Sequence, residues 1–380
     1  MSTSVDDKSR YTSTERRFRL FTLPVEARIM THLGLPHGVN QMLRGIRLFS
    51  LLLLGPGATL YSPQAVAQVL NPTGLDQWDS TNQVLFFDGG SPGSPIRGYT
   101  DTHQRGADIN IFKDFPGLQE FYGTSLTAGP EGTTLFATIL NFGGHNIRRV
   151  VLSYDSSGQL LKTWEPVPQY SEVIAYSKDD DAIFVLGDRY VPDGRDTPDY
   201  PLLVEYNRDG RVLKNMIPAS TLKDAGDSFN QSGQTGEPAL RVTKDHIYFY
   251  APANREAVIC DRNGAVLAYR SISDIVDKII SMEDGYQLAQ IHHLDFTDDG
   301  DIVLELLLGN STSQDSMLEL VRINIKTGEA APVHKTFKND RLWFIGIKDG
   351  QYLYVSDGKT LYIQSAGKQE PAPLETKRID

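Results

Sequence analysis

Four hairpins with the same turn chemistry recur along this 380-residue chain and leave few folds open to it. VVLSYDSSGQLL (150–161), LLVEYNRDGRVL (202–213), AVICDRNGAVL (257–267) and LVRINIKTGEA (320–330) each read as strand, tight turn, strand. Asp or Asn opens such a turn by bonding its own backbone, and Gly takes the positive φ that closes it. The turn glycines are Gly158, Gly210, Gly264 and Gly328, spaced by 52, 54 and 64 residues, and the last copy carries one extra turn residue.

A second signature is interleaved with the first: strand, acidic turn, strand. Its members are EVIAYSKDDDAIFVLG (172–187), LRVTKDHIYFYA (240–251), LDFTDDGDIVLEL (294–306) and FIGIKDGQYLYV (344–355), with SLTAGPEGTTLFATIL (125–140) as a looser fifth. Two signatures at one period define a unit of four antiparallel strands. Such a unit buries its two faces only against neighbouring units, which is the condition of a propeller blade. A β-sandwich is the main competitor, but it has no reason to repeat one turn chemistry at this interval. The expected fold is therefore all-β, a β-propeller of four-stranded antiparallel blades.

Five units are clear, at 121–166, 169–218, 237–273, 286–337 and 341–367, and the last offers only three strands. The stretches NQVLFF (82–87) and ADINIF (107–112) precede them. One of these is expected to supply the missing fourth strand and so close the ring, which removes an exposed sheet edge. If the other begins a blade of its own with residues 90–120, there are six blades; otherwise there are five. Six is the favoured count. One helix is expected over Ser273–Glu283, with Ser273 as its cap, Ile275, Val276, Ile279 and Ile280 on one apolar face, and Gly285 as its stop.

The pattern YDxxGxLL at 154–161, followed by strands such as DDGDIVLEL (298–306), resembles the NHL and bacterial six-bladed propeller families. The resemblance spans roughly residues 120–365 and rests on turn geometry. It implies a binding scaffold or, less commonly in that group, a hydrolase, lactonase or lyase, so it speaks to fold more than to function.

The segment Leu48–Leu54 (LFSLLLL) is the only membrane-like stretch, and Gly55-Pro56-Gly57 follows it at once. A spanning helix needs roughly 20 apolar residues, so this run is too short. Arg44 and Arg47 before it and Ala65-Val66-Ala67 after it complete the three-part pattern of a secretory signal cleaved before Gln68. Residues 42–67 are thus read as signal peptide, with Met42 as the expected start, 1–41 as a non-native or disordered extension, and 68–380 as one propeller domain. Arg16-Arg17 is a weak twin-arginine motif, because the apolar run begins about 30 residues later. The mature protein is expected in the periplasm or outside the cell, without stable membrane insertion and as a monomer.

Cleavage leaves 29 basic and 44 acidic residues, a net charge of −15 against −11 for the whole chain. A surface of that sign repels phosphate backbones, which argues against nucleic acid as a partner. Cys260 is the sole cysteine, so an internal disulfide and cysteine-rich metal or haem sites are excluded. Cys260 occupies the hairpin position held by Tyr154 and Tyr206, which points to a packed strand residue.

Two catalytic signatures are missing: the chain has no HExxH and no phosphate-binding glycine loop. The sharpest local feature is QIHHLD (290–295). Adjacent strand residues point to opposite faces, so His292 and His293 are not expected to face one site, whereas His293 and Asp295 share a face. Those two, completed by His103 or His145, are the candidate metal ligands, for calcium or zinc. An inner-strand histidine bonded to the next blade is the commoner role. The acidic turns at 179–181 and 298–301 lack the glutamate of a calcium loop and read as solvated hairpin turns. Glu172, Glu237 and Asp295 lie near inner-strand positions that a propeller lactonase would use. Aromatic Tyr122, Tyr176, Trp343 and Phe344 read as inter-blade packing before a sugar platform. The loops 189–195 and 219–238 interrupt the repeat, and long loops on rigid scaffolds often carry recognition.

The reading that follows is an exported, non-enzymatic binding scaffold for a protein, peptide or glycan at one propeller rim, with no cofactor. Its alternative is a metal-dependent hydrolase or lactonase with its site in the central channel. The export reading predicts that the protein recovered from the periplasm or medium of an expressing cell begins at Gln68. N-terminal sequencing checks this, and retention of residues 42–67 on exported protein contradicts it.

Overall fold

Asp155, Asn207 and Asp261 open their hairpins in one identical way. In each turn a single side-chain oxygen accepts the backbone N–H two residues on and the N–H four residues on, at 2.8–2.9 Å. Gly158, Gly210 and Gly264 follow with φ of +80°, +76° and +83°. A one-residue register shift then falls at Ser153/Tyr154, Glu205/Tyr206 and Ile259/Cys260. The fourth copy is one residue longer: Asn324 accepts Thr327 N–H at 2.8 Å, and the Gly328 N–H reaches the Asn324 carbonyl at 2.8 Å. Local Asx chemistry sets the hairpins, as the repeat predicts.

The computed structural model describes residues 77–87, 96–99, 108–144, 146–166, 172–187, 200–222, 234–313, 315–337, 342–356, 360–365, 368 and 371–373. The chain divides into a unit Met1–Pro72 and a unit Thr73–Asp380, and every described residue belongs to the second. The proposed signal peptide at 42–67 and the loop 189–195 lie outside the described residues, as does part of 219–238.

Among the described residues the strands form six antiparallel sheets. The first has three strands, β1 (Gln77–Asp79), β2 (Val84–Phe87) and β3 (Arg97–Tyr99). The second comprises β4 (Glu120–Ala128), β5 (Thr134–Asn141), β6 (Ile147–Tyr154) and β7 (Leu160–Trp164). The third comprises β8 (Val173–Ser177), β9 (Ala182–Leu186), β10 (Leu203–Tyr206) and β11 (Val212–Asn215). β12 (Ala239–Val242), β13 (His246–Ala251), β14 (Glu256–Asp261) and β15 (Val266–Ser271) make the fourth. β16 (Tyr286–Phe296), β17 (Asp301–Asn310), β18 (Ser316–Asn324) and β19 (Ala330–Phe337) make the fifth. The sixth is β20 (Leu342–Lys348), β21 (Gln351–Ser356), β22 (Thr360–Gln364) and β23 (Ala372–Pro373).

The opening strands of the six sheets touch in the cyclic order β1, β4, β8, β12, β16, β20 and back to β1. The arrangement is propeller-like. Its apolar core is not one mass but a series of seams, each between consecutive sheets. Phe86, Phe136 and Leu152 fill the first seam, Ile174, Val185 and Val151 the second, and Phe184, Phe249 and Cys260 the third. Tyr248, Phe296 and Leu304 fill the fourth, and Leu320, Phe344 and Tyr354 the fifth. Every residue of β8 and β9 is buried, as strands packed on both faces require. At about 1.5–3 kcal/mol for each large apolar side chain removed from water, these seams are the main source of cohesion between sheets. Ring closure is marked by Gly346 of β20: a Cβ there would stand 2.0 Å from the Trp78 indole, so only glycine admits this approach of the last sheet to the first. Cys260 is fully buried, and burial pushes its thiol up to about 12.

Three expectations are corrected. The fourth strand of the last sheet is β23, from the C-terminal side, and NQVLFF supplies β2 in a sheet of its own. ADINIF forms no strand: Ile109 makes one bridge with Ile96, and the Asn110 side chain caps a helical turn, α1 (Ile111–Asp114), by accepting Lys113 N–H at 3.1 Å. The helix α2 (Ser273–Ser281) is present, but Ile272 is its capping position and the Ser273 hydroxyl donates to Asn254 O at 3.2 Å instead. Val276 and Ile279 bury its apolar face.

Gly210 sits at φ +76° with a would-be Cβ 2.6 Å from the Trp164 ring, whereas Gly350 at φ +73° has nothing within 4 Å. Alanine at either site pays left-handed strain of about 1–2 kcal/mol, and only at 210 does it add an overpacking cost of about 1–3 kcal/mol. Urea denaturation is expected to find G210A the less stable variant; equal midpoints for G210A and G350A contradict the close packing of the hairpin on Trp164.

Candidate functional site

The turn between β1 and β2 stands at the axis of the ring. Asp79 anchors it to the second sheet: its carboxylate accepts the Thr127 hydroxyl and Ala128 N–H, both at 2.8 Å, besides Thr81 N–H and Asn82 N–H of its own turn at 3.1 Å. Asn82 Nδ2 donates to Tyr176 O of the third sheet at 3.0 Å. The Thr81 hydroxyl accepts Val242 N–H of the fourth at 3.0 Å, and Ser80 bonds Asp295 of the fifth. Gln83 reaches Asp349 of the sixth at 3.4 Å and itself adopts φ +56°. Five residues therefore bond to all five other sheets. A short turn does this only from the centre.

Further side-chain bonds cross the seams beside it. The Ser125 hydroxyl accepts Ile174 N–H and the Thr127 hydroxyl accepts Tyr176 N–H, each at 3.1 Å. Asp295 accepts Ile347 N–H at 2.7 Å, and Glu305 accepts Phe344 N–H at 2.7 Å. Arg241, buried on β12, donates to Phe296 O and pairs with Asp298 at 2.5 Å. Burial raises the carboxyl pKa of Asp79, with the bonds from Ala128 and Thr127 opposing it, and burial pushes Asp295 up to about 6.

Of the candidate metal ligands, His293 and Asp295 stand two residues apart on β16 with no register shift between them. Asp295 is 3 % exposed, and its two oxygens accept Phe296 N–H and Ile347 N–H. His293 lies opposite Glu305 in the β16–β17 ladder. His103 and His145 lie outside the described residues. Among the described residues no three His, Cys, Asp or Glu side chains are grouped to hold a metal ion. Glu172 and Glu237 precede β8 and β12, whereas Asp295 lies at the far end of its strand, beside the axial turn. At roughly 3.3 Å per residue, the length of β8 alone puts Glu172 well away from that end.

The alternation rule fails at the histidine pair. The ladder slips by one residue between Ile291 and His293, and His292 is the extra residue. A bulge suspends the alternation of faces. The two imidazoles consequently meet edge to face with centroids 4.4 Å apart, His292 lies 4.4 Å from the Trp343 ring, and its Nδ1 is 2.8 Å from Glu305 Oε2. Glu305 is 1 % exposed. Burial pushes its carboxyl up to about 8, with His293, the Phe344 N–H and His334 opposing the shift. Sequence reasoning passed over Glu305, although a lone acid inside the apolar run IVLELLL was the signal for it. Asp79 and Arg241 were passed over as well, the second being an arginine within an otherwise apolar strand.

Beside the axial turn an open pocket of ≈ 340 Å³ is lined by residues 80–83, 177–179, 241–244 and Asp298. Its wall is the set of turns that follow the first strands of the first, third, fourth and fifth sheets. The acidic turns are not simply solvated. Asp180 pairs with Arg262, whose guanidinium lies 4.8 Å over the Phe184 ring, Asp181 pairs with Arg208 at 2.5 Å, and Asp301 pairs with Arg322 at 2.5 Å. Chemically the mouth is a polar recess with committed carboxylates and hydroxyl and amide groups on its floor.

No family model matches the chain, and no curated protein matches it. Among solved structures it is similar to BamB from Moraxella catarrhalis, at 12 % identity over 79 % of this chain and 87 % of that one, with a TM-score of 0.38. An exported protein of Bacteroides fragilis gives 12 % identity, 74 % and 78 % coverage and a TM-score of 0.43. The extracellular domain of a hybrid two-component system from B. thetaiotaomicron gives 10 %, 79 % and 36 %, and 0.39.

Glu305 makes stability depend on pH in a defined direction. Its folded pKa, about 8, exceeds the ordinary carboxyl value of 4.5, so its contribution is complete below about 4.5 and is lost as pH rises towards about 8. The slope reaches at most about 1.4 kcal/mol per pH unit. Glu305→Gln keeps an acceptor for Phe344 N–H and is expected to flatten the loss. Urea midpoints measured from pH 4.5 to 8.5 check it, and an unaltered slope in the variant removes Glu305 as the cause.

Proposed function

We propose that the chain is an exported, monomeric, six-bladed propeller of the NHL-like kind that its turns resemble. It acts as a non-enzymatic scaffold and binds a protein, peptide or glycan at the rim where the pocket opens. The observation that carries this reading is the axial turn. The groups a channel enzyme would use are engaged in holding sheets together: Asp295 on Ile347 N–H, Glu305 on Phe344 N–H, and Asp79 on Ala128 N–H. The polar recess left open lies at the mouth, lined by turn residues of four sheets. Turns on a rigid scaffold are where recognition is commonly built. The six sheets in cyclic order support the blade count, and the three-part pattern at 42–67 supports export.

The test pairs binding with turnover. Peptide and glycan arrays probed with the purified chain are expected to give saturable binding that is lost in Asp179→Trp, which puts a bulky ring on the exposed pocket wall. Ester, lactone and glycoside substrates, offered with added calcium or zinc, are expected to persist unchanged. Turnover that disappears in His293→Ala overturns this reading in favour of a metal-dependent hydrolase.

A further inference from the structure

The charges around the mouth pocket do not balance, and the imbalance has the opposite sign to the chain. The whole sequence carries −11. Among the pocket's ionisable residues, Asp298 is paired with Arg241, and Asp179 acts on the Arg262 guanidinium. Three cations, Arg241, Lys178 and Lys244, stand against two carboxylates, Asp179 and Asp298, so the lining keeps one net positive charge, carried by the two lysines. Each is exposed on a turn, after β8 and after β12, and neither has an ion-pair or hydrogen-bond partner among the described residues. Their strands touch, so the two lysines line the pocket from adjacent sheets. In the same lining the Thr81 hydroxyl accepts Val242 N–H, which leaves its O–H to donate.

We propose that this recess is a carboxylate-binding site, with Lys178 and Lys244 supplying charge and the Thr81 hydroxyl a hydrogen bond. The inference rests on the reading of the mouth as a binding rim and names the chemistry recognised there. Two ammonium groups and a hydroxyl match a monoanion with two acceptor oxygens. A phosphate dianion fits less well, since Asp179 and Asp298 stand in the same wall and like charges repel it. Chain-wide negative charge repels anions in general, so the local field selects for a carboxylate that reaches this mouth. The pocket volume of ≈ 340 Å³ is at the small end for ligand sites, which suits a short monocarboxylic acid or one acidic side chain of a peptide.

Calorimetric titration of the full chain at low salt tests this with four probes: butyrate, its methyl ester, a blocked peptide carrying one Glu, and inorganic phosphate. The acid or the Glu peptide is expected to bind, with the ester silent and phosphate weaker; which of the two binds more tightly identifies the source of the carboxylate. The double variant Lys178→Ala/Lys244→Ala is expected to weaken binding about tenfold, the effect of two partly solvated ion pairs. Lys178→Arg/Lys244→Arg is expected to restore most of it. Ester binding as tight as acid binding, unchanged affinity in the double alanine variant, or no saturable binding of either acid probe overturns the proposal. Binding of a neutral peptide or glycan that Asp179→Trp blocks and the lysine variants ignore overturns it alone and leaves the scaffold reading standing. Turnover of substrate overturns the scaffold reading itself.

Discussion

A carboxylate buried without a basic partner holds the centre of this protein. Asp79 is 5 % exposed, and its oxygens are satisfied by N–H and O–H groups of its own turn and of β4. An ionisable group in such a place is costly unless every lone pair is met. The turn that Asp79 heads must therefore keep one conformation, and in that conformation Ser80, Thr81, Asn82 and Gln83 each reach a different neighbouring sheet. The seams need this hub because an isolated blade has two apolar faces and nothing within itself to cover them. Hydrophobic seams supply cohesion without direction. The axial hydrogen bonds supply the direction.

The same logic governs the acidic residues that dominate the sequence. Asp180, Asp181 and Asp298 sit in hairpin turns and Asp301 opens β17, and each meets an arginine from a distant part of the chain. Of these arginines, Arg241 and Arg262 are the most enclosed, and burial lowers the Arg262 guanidinium from its ordinary value, with Asp179 opposing. Paired in this way, the acidic turns no longer present a uniform negative rim. The pocket lining keeps Lys178 and Lys244, exposed and without an ion-pair partner among the described residues, in a chain of net charge −11.

Much of the architecture was legible because it is local. An Asx residue three positions before a glycine closes the same hairpin at 155–158, 207–210 and 261–264, and these three copies share one hydrogen-bonding scheme. What misled was also local pattern taken too far. ADINIF alternates like a strand, yet Asn110 turns the chain into α1; HH at 292–293 should split across two faces, yet a bulge puts both rings beside Glu305. Ser273 has the right identity for a cap, but the carbonyl of Asn254 lies within reach and takes its hydroxyl.

By itself, then, the sequence determined the period, the hairpins, the all-β class and the spare negative charge, because each of these depends on residues within a few positions of one another. Tertiary structure alone decided that QWDSTNQ at 77–83 would be the axis, that Arg241 and Glu305 would be buried at seams, and that Lys178 and Lys244 would border one recess. Those outcomes depend on pairs separated by tens to hundreds of residues, such as Thr81 with Val242, which come together only when the sheets gather around the axial turn. Ring closure is a property of the whole chain, and no window of sequence contains it.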